Sequence, residues 1–182
     1  KEKFKLTSLE KSWILYDIGN SAFILLVSTL LPIYFNALAS GAGISESDYL
    51  AYWGYAGSVA TILVAIIGPI CGALADRKLK KPLFLLCMFL GALGCAALGG
   101  AWSWLSFLVI FVIAKVGYSS SLVFYDSMLT EVTSQQRMDK ISAMGYAYGY
   151  IGSVIPFVVC LLVVLGYEAI GISQVTALII AF

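Results

Sequence analysis

The chain has 182 residues, 61% of them apolar and only 12% charged, with a net charge of +1. A water-soluble domain carries about a quarter charged residues, so this composition argues against a soluble enzyme and for a protein built to sit in lipid. Roughly 20 apolar residues cross a bilayer, and a chain of this length has room for five or six such spans.

A basic tail, residues 1–12, carries Lys1, Lys3, Lys5 and Lys11 and leads into a first span over Trp13–Ala39. Asp17, Asn20, Ser21 and Ser28 interrupt that span at i, i+3, i+4 and i+11, which is one continuous stripe on a helix. The long apolar run, its polar residues and the spans that follow set it apart from a cleaved signal peptide, although Ala37-Leu38-Ala39 resembles a cleavage site. The second span, Leu50–Ala75, contains Gly68, Pro69 and Gly72 and runs into the charged stretch Asp76-Arg77-Lys78-Leu79-Lys80-Lys81.

The third span is expected over Leu83–Ala101 and the fourth over Leu105–Leu129. In the fourth, Lys115, Tyr118, Ser119 and Asp126 repeat the spacing i, i+3, i+4 and i+11. At about 1.5 Å per residue Lys115 lies roughly 15 Å deep, near the midplane, and Asp126 near the far end. Arg137 and Lys140 precede the fifth span, Ile141–Leu165, which holds Gly145, Gly149 and Pro156. A sixth span begins near Ser173 and stops at Phe182, so residues 13–182 read as a transmembrane bundle of five complete spans and the start of a sixth. The end within an apolar run predicts a fragment of a larger bundle. Lipid satisfies no backbone polar group, so all the spans must be helical and the fold class is all-α integral membrane.

Ten of the eleven Lys and Arg residues lie in the tail, in the 2–3 loop and in the 4–5 loop. The positive-inside rule then places the N-terminus in the cytoplasm. The four cysteines, Cys71, Cys87, Cys95 and Cys160, fall within spans, there is no histidine, and no CxxC pair offers a metal site. Nothing in the chain implies a cofactor, a nucleic acid or a catalytic constellation, and an enzyme is not expected.

Ionisable residues within spans are costly, face protein or water, and mark function by default. The two polar stripes therefore suggest a shared water-filled cleft. Asp17 and Asp126 are also near enough to the interface to be simply solvated or paired, and single serines bond their own helix backbone readily. Lys115 is too deep to snorkel fully to the surface. Gly68 with Gly72, and Gly145 with Gly149, are small-xxx-small pairs suited to close helix contact, while Pro69 and Pro156 offer kinks.

The stretch "GALADRKLKK" resembles the loop 2–3 signature of the major facilitator superfamily, with Gly72, Asp76, Arg77, Lys80 and Lys81 matching and Leu79 in place of a glycine. "WILYDIGNSAFILLVSTLLPIYF" and "FYDSMLTEVTSQQRMDKISAMGYAYGYIGS" look like the vacuole-effluxer branch, which includes fungal autophagy-related amino-acid effluxers and bacterial relatives called the unknown major facilitator family. The resemblance implies the N-terminal six-helix bundle of a twelve-helix transporter, its sixth helix truncated, whose partner is a C-terminal six-helix half. It implies that spans 1 and 4 line the substrate cavity, that spans 2 and 5 face the other half, and that Asp76 is a conformational latch supported by Arg77. A bacterial inner membrane fits better than a fungal vacuole. Lys115 departs from the arginine and following glycine that the superfamily often carries in span 4.

The function these readings imply is secondary active transport of a small polar solute by alternating access, amino acids being the favoured class and efflux the direction of the resembled branch. Proton coupling is left open. The cavity residues are Asp17, Asn20, Lys115, Tyr118, Ser119 and Asp126. The alternative is a non-transporting scaffold or receptor assembled through its glycine-rich helices.

Overall fold

The computed structural model describes residues 4–74 and 79–181. Among these residues it is entirely helical, in the order α1 (Ser8–Gly41), α2 (Glu46–Leu74), α3 (Lys80–Leu98), α4 (Trp104–Val132), α5 (Gln135–Leu165), α6 (Tyr167–Ile170) and α7 (Gln174–Ile180). Five of them, α1 to α5, are long and apolar enough to cross a membrane. Each of the five expected spans falls on one of these helices, although α3 ends at Leu98 rather than Ala101 and Ala75 lies outside the described residues, and α7 lies where a sixth was expected to begin.

The helices outrun the apolar segments because polar caps start them early. Thr7 caps α1 in a reciprocal box, its hydroxyl accepting from the Glu10 amide at 3.2 Å while the Glu10 carboxylate accepts from the Thr7 amide at 2.8 Å. The tail expected over residues 1–12 is therefore helical from Ser8 onward. At the start of α4, Ser103 and Ser106 make the same reciprocal pair. Only Thr133 and Ser134 separate α4 from α5, so the expected 4–5 loop is mostly the first turns of α5. Gly43 (φ 78°) and Gly171 (φ 76°) occupy the left-handed backbone that lets the chain turn after α1 and after α6.

Helix packing divides the bundle. α1 lies along α5, whereas α4 lies along α3 and α2, and α1 and α4 touch more sparingly. The α3–α4 contact is made by small residues. A methyl group added at Gly117 would come 2.7 Å from the Gly91 nitrogen, and one at Gly94 would come 2.8 Å from the Ala114 Cβ. Such close backbone approach replaces the hydrophobic drive that lipid cannot supply. Gly117, two residues after Lys115, is thus occupied in packing against α3.

Two buried clusters hold the ends. At the end away from the basic residues, Phe35 stacks on Trp53 and Phe107, with ring centroids 5.8 and 5.7 Å apart, and Trp53 stacks on Phe111 at 4.4 Å. At the basic end Trp13, Ile14, Tyr125 and Ile141 cluster, Trp13 lying parallel to Tyr125 at 4.5 Å.

Candidate functional site

The two polar stripes project from α1 and α4, but they do not form one continuous surface. On α1, Asp17 is half-buried against α5, where Gly145 and Gly149 leave it room. A methyl group at Gly145 would lie 3.1 Å from the Asp17 Oδ2, and one at Gly149 would lie 3.4 Å from it and 2.7 Å from the Ser21 Oγ. Both glycines are buried. The glycine face of α5 is therefore covered by α1. Gly68 and Gly72 on α2 have nothing within 4 Å in the direction a side chain would take.

Asn20 and Tyr118 belong to a second feature, a cavity of about 220 Å³ between α1, α3 and α4. Its lining includes Tyr16, Asn20, Phe23, Gly91, Tyr118 and Ser121. The Tyr118 hydroxyl donates to the Asn20 carbonyl at 3.4 Å, and its ring sits 4.4 Å from that of Phe23. Tyr16 and Ser121 share a hydrogen bond at 3.0 Å, and the Tyr125 hydroxyl donates to the Trp13 carbonyl at 3.0 Å. These bonds cross the α1–α4 seam, and the spacing argument found only Asn20 and Tyr118 among them. The partners of Tyr16 and Tyr125 lie more than a hundred residues away in sequence, beyond the reach of any local pattern.

Lys115 takes another direction. Its ammonium sits 4.0 Å from where a side chain on Gly57 of α2 would begin and 5.7 Å from the Phe111 ring centre. Among the described residues it makes no ion pair, and neither do Asp17 and Asp126. Asp17 and Lys115 are thus not each other's structural partners. Ser119 is half-buried one turn beyond Lys115 on α4, and Asp126 is exposed near the basic end. The larger groove between α2 and α4, about 470 Å³, is walled by Tyr52, Tyr55, Trp104 and aliphatic side chains and offers no charge to a polar solute.

Of the expected latch residues, Asp76 and Arg77 lie outside the described residues. Lys80 bonds the Glu131 carboxylate at 2.7 Å and the Ser127 carbonyl at 3.3 Å, tying the start of α3 to the end of α4. Lys81 is exposed. Pro156 lies within α5, which continues through it.

The strongest polar assembly escaped the sequence reading. Glu10 is 1% exposed, yet its carboxylate accepts from Arg137 Nε at 2.9 Å, Arg137 Nη2 at 2.7 Å, Thr133 Oγ1 at 2.7 Å and the Thr7 amide at 2.8 Å. Arg137 also donates to the Lys5 carbonyl at 2.8 Å, and the Phe4 ring lies under Arg137 and Lys140 at 4.2 and 3.7 Å. The pattern Thr7-x-x-Glu10 announced the cap, but nothing local announced Arg137. Cys71, Cys87, Cys95 and Cys160 are free thiols, and among the described residues no cluster of ligands suited to a metal occurs.

No family model matches the chain, and no solved structure matches it. Among curated proteins, YxiO of Bacillus subtilis (strain 168), an uncharacterized MFS-type transporter, is 37% identical over 169 residues. The match covers 91% of this chain and 40% of that protein, so the chain spans about two fifths of its relative's length. Five long apolar helices, with no strand among the described residues, are consistent with the N-terminal half of such a transporter. Over nine tenths of its length the chain is therefore a homologue of an MFS-type transporter.

Proposed function

We propose that this chain is the N-terminal half of a secondary transporter of the major facilitator superfamily, in its vacuole-effluxer branch, moving a small polar solute by alternating access. The observation that carries this reading is the pair of opposite charges, Asp17 and Lys115, held within membrane-crossing helices without an ion-pair partner among the described residues. A charge so placed is expensive unless water or a ligand meets it. Lys115 receives a carboxylate or other anionic group, and Asp17 receives an amine or exchanges a proton. Asn20, Tyr118, Ser119 and Asp126 supply the polar surroundings. That division suits a zwitterion, and amino acids are the favoured class. The remaining half of the cavity comes from a C-terminal six-helix bundle. The basic end faces the cytoplasm of a bacterial inner membrane, and Asp76, Arg77, Lys80 and Lys81 govern closure there.

Counterflow of a mixed labelled amino-acid pool into proteoliposomes holding the full-length protein tests this, with and without an imposed proton gradient. The expected result is uptake that Lys115→Ala and Asp17→Asn abolish. Unchanged flux and apparent affinity in Lys115→Ala would overturn the assignment.

A further inference from the structure

Tyr146 and Tyr150 stand one turn apart on α5, their rings edge to face with centroids 5.0 Å apart and their hydroxyls 3.5 Å from each other. They are 67% and 58% exposed. Counted from Ile141, where the apolar run of α5 begins, Tyr146 is five residues in and Tyr150 nine, about 8 and 14 Å at 1.5 Å per residue. Tyrosine is at home at the membrane interface, where ring and hydroxyl each find a suitable medium. In the middle of the hydrocarbon a hydroxyl facing lipid has no acceptor beyond its neighbour and carries the cost of an unsatisfied polar group. The position of this pair calls for water, ligand or protein against it.

The residues immediately before each tyrosine are Gly145 and Gly149, where an added methyl group would lie 3.1 and 3.4 Å from the Asp17 Oδ2. At 3.6 residues per turn the two rings leave α5 beside the glycine face that meets the acid, on its exposed side. A carboxylate beside two aromatic rings is the chemistry that holds an alkylammonium ion: the acid supplies the counter-charge, the hydroxyl oxygens accept N–H bonds, and the ring faces attract the cation. We propose that Tyr146 and Tyr150 form, together with Asp17, the ammonium subsite of the transported solute and so determine specificity for an amine-bearing substrate. This rests on the transporter reading above and adds two residues and a substrate group to it.

The test uses full-length protein and two probes that each carry one half of an amino acid, ethylammonium and propionate. In the counterflow assay, Tyr146→Leu and Tyr150→Leu should raise the ethylammonium concentration for half-inhibition by roughly 2- to 30-fold, the span of a cation–aromatic contact. Inhibition by propionate should not move, and Tyr146→Phe and Tyr150→Phe should retain most of the ethylammonium sensitivity. Equal shifts for both probes, or no shift for either, would overturn the subsite. Direct binding separates the two levels. Ethylammonium chloride should raise the thermal midpoint of the purified parent protein above that in sodium chloride of equal ionic strength, and should do so less in the Leu variants. If no amino acid is carried yet this ligand effect persists and depends on both tyrosines, the substrate class fails and the subsite stands. If the parent shows no such effect, the subsite fails regardless of transport.

Discussion

Glu10 offers the sharpest test of the packing at the basic end. In Arg137→Met its carboxylate, 1% exposed in the parent, keeps only the Thr133 hydroxyl and the Thr7 amide as protein donors. Breaking one side of a buried pair costs about 3–5 kcal/mol. Because the Arg137 side chain is 33% exposed, water refills part of the space it leaves, and the lower figure, about 3 kcal/mol, applies. For a cooperative unit of 150–250 residues that corresponds to a fall of about 6–12 °C in the unfolding midpoint. Glu10→Met combined with Arg137→Met removes both charges and should recover a good part of the loss, short of full recovery because the Thr7 amide then lacks its acceptor. The four free thiols, all within helices, make a thiol-reactive fluorophore a direct reporter of unfolding in detergent. An unchanged midpoint in Arg137→Met, or a double variant worse than the sum of the singles, would refute the reasoning.

Three further substitutions separate packing from function. Gly117→Ala places a methyl group 2.7 Å from one α3 backbone atom and 3.0 Å from another, neither free to yield, so it should lower thermal stability by about 1–3 kcal/mol, read in the same thiol assay. Gly149→Ala crowds Ser21 and Asp17, and should impair transport beyond any loss of folded protein, measured as flux per folded molecule in proteoliposomes. Glu131→Gln breaks an exposed pair with Lys80, Glu131 being 57% exposed; stability should change by less than about 1 kcal/mol, so a change in transport rate would report closure at that end.

Much of the architecture was legible because lipid imposes it. The five spans follow from apolar length alone, and their ends were displaced mainly where Thr7, Ser103 and the two-residue α4–α5 joint extend the helices past the greasy runs. Polar periodicity singled out Asp17 and Lys115 as ionisable residues within spans, and among the described residues neither makes an ion pair. It could not say that Lys115 turns to Gly57 while Tyr118 turns to α1, since a stripe gives a shared face and not a neighbour. The glycines show the same limit from the other side. Spacing marked Gly145 and Gly149 as contact residues without naming their neighbour, and the structure places them against α1. Glu10 with Arg137 was invisible for a plainer reason: the pair is 127 positions apart, and each looked like ordinary loop charge.

The arrangement of close and loose seams carries a mechanical consequence. α1 and α5 are joined by glycine contacts along their length and by the Glu10–Arg137 assembly at one end. Across to α4, α1 is held mainly by aromatic contacts and by the Tyr16–Ser121, Tyr118–Asn20 and Tyr125–Trp13 hydrogen bonds. Each such bond contributes about 0.5–1.5 kcal/mol net and tolerates a shift better than a backbone contact does. Any rearrangement within the bundle should therefore part α1 from α4 and leave α1 on α5. An ideal Cβ at Gly152 lies 3.4 Å from the Ile18 Cβ, close to the span a disulfide bridges. Ile18→Cys with Gly152→Cys in the full-length protein should thus oxidise readily and pin α1 to α5. If the two helices move as one body, the oxidised and reduced forms transport at the same rate. A block on oxidation that reductant reverses would show that α1 slides on α5, and that the glycine seam is a bearing rather than a weld.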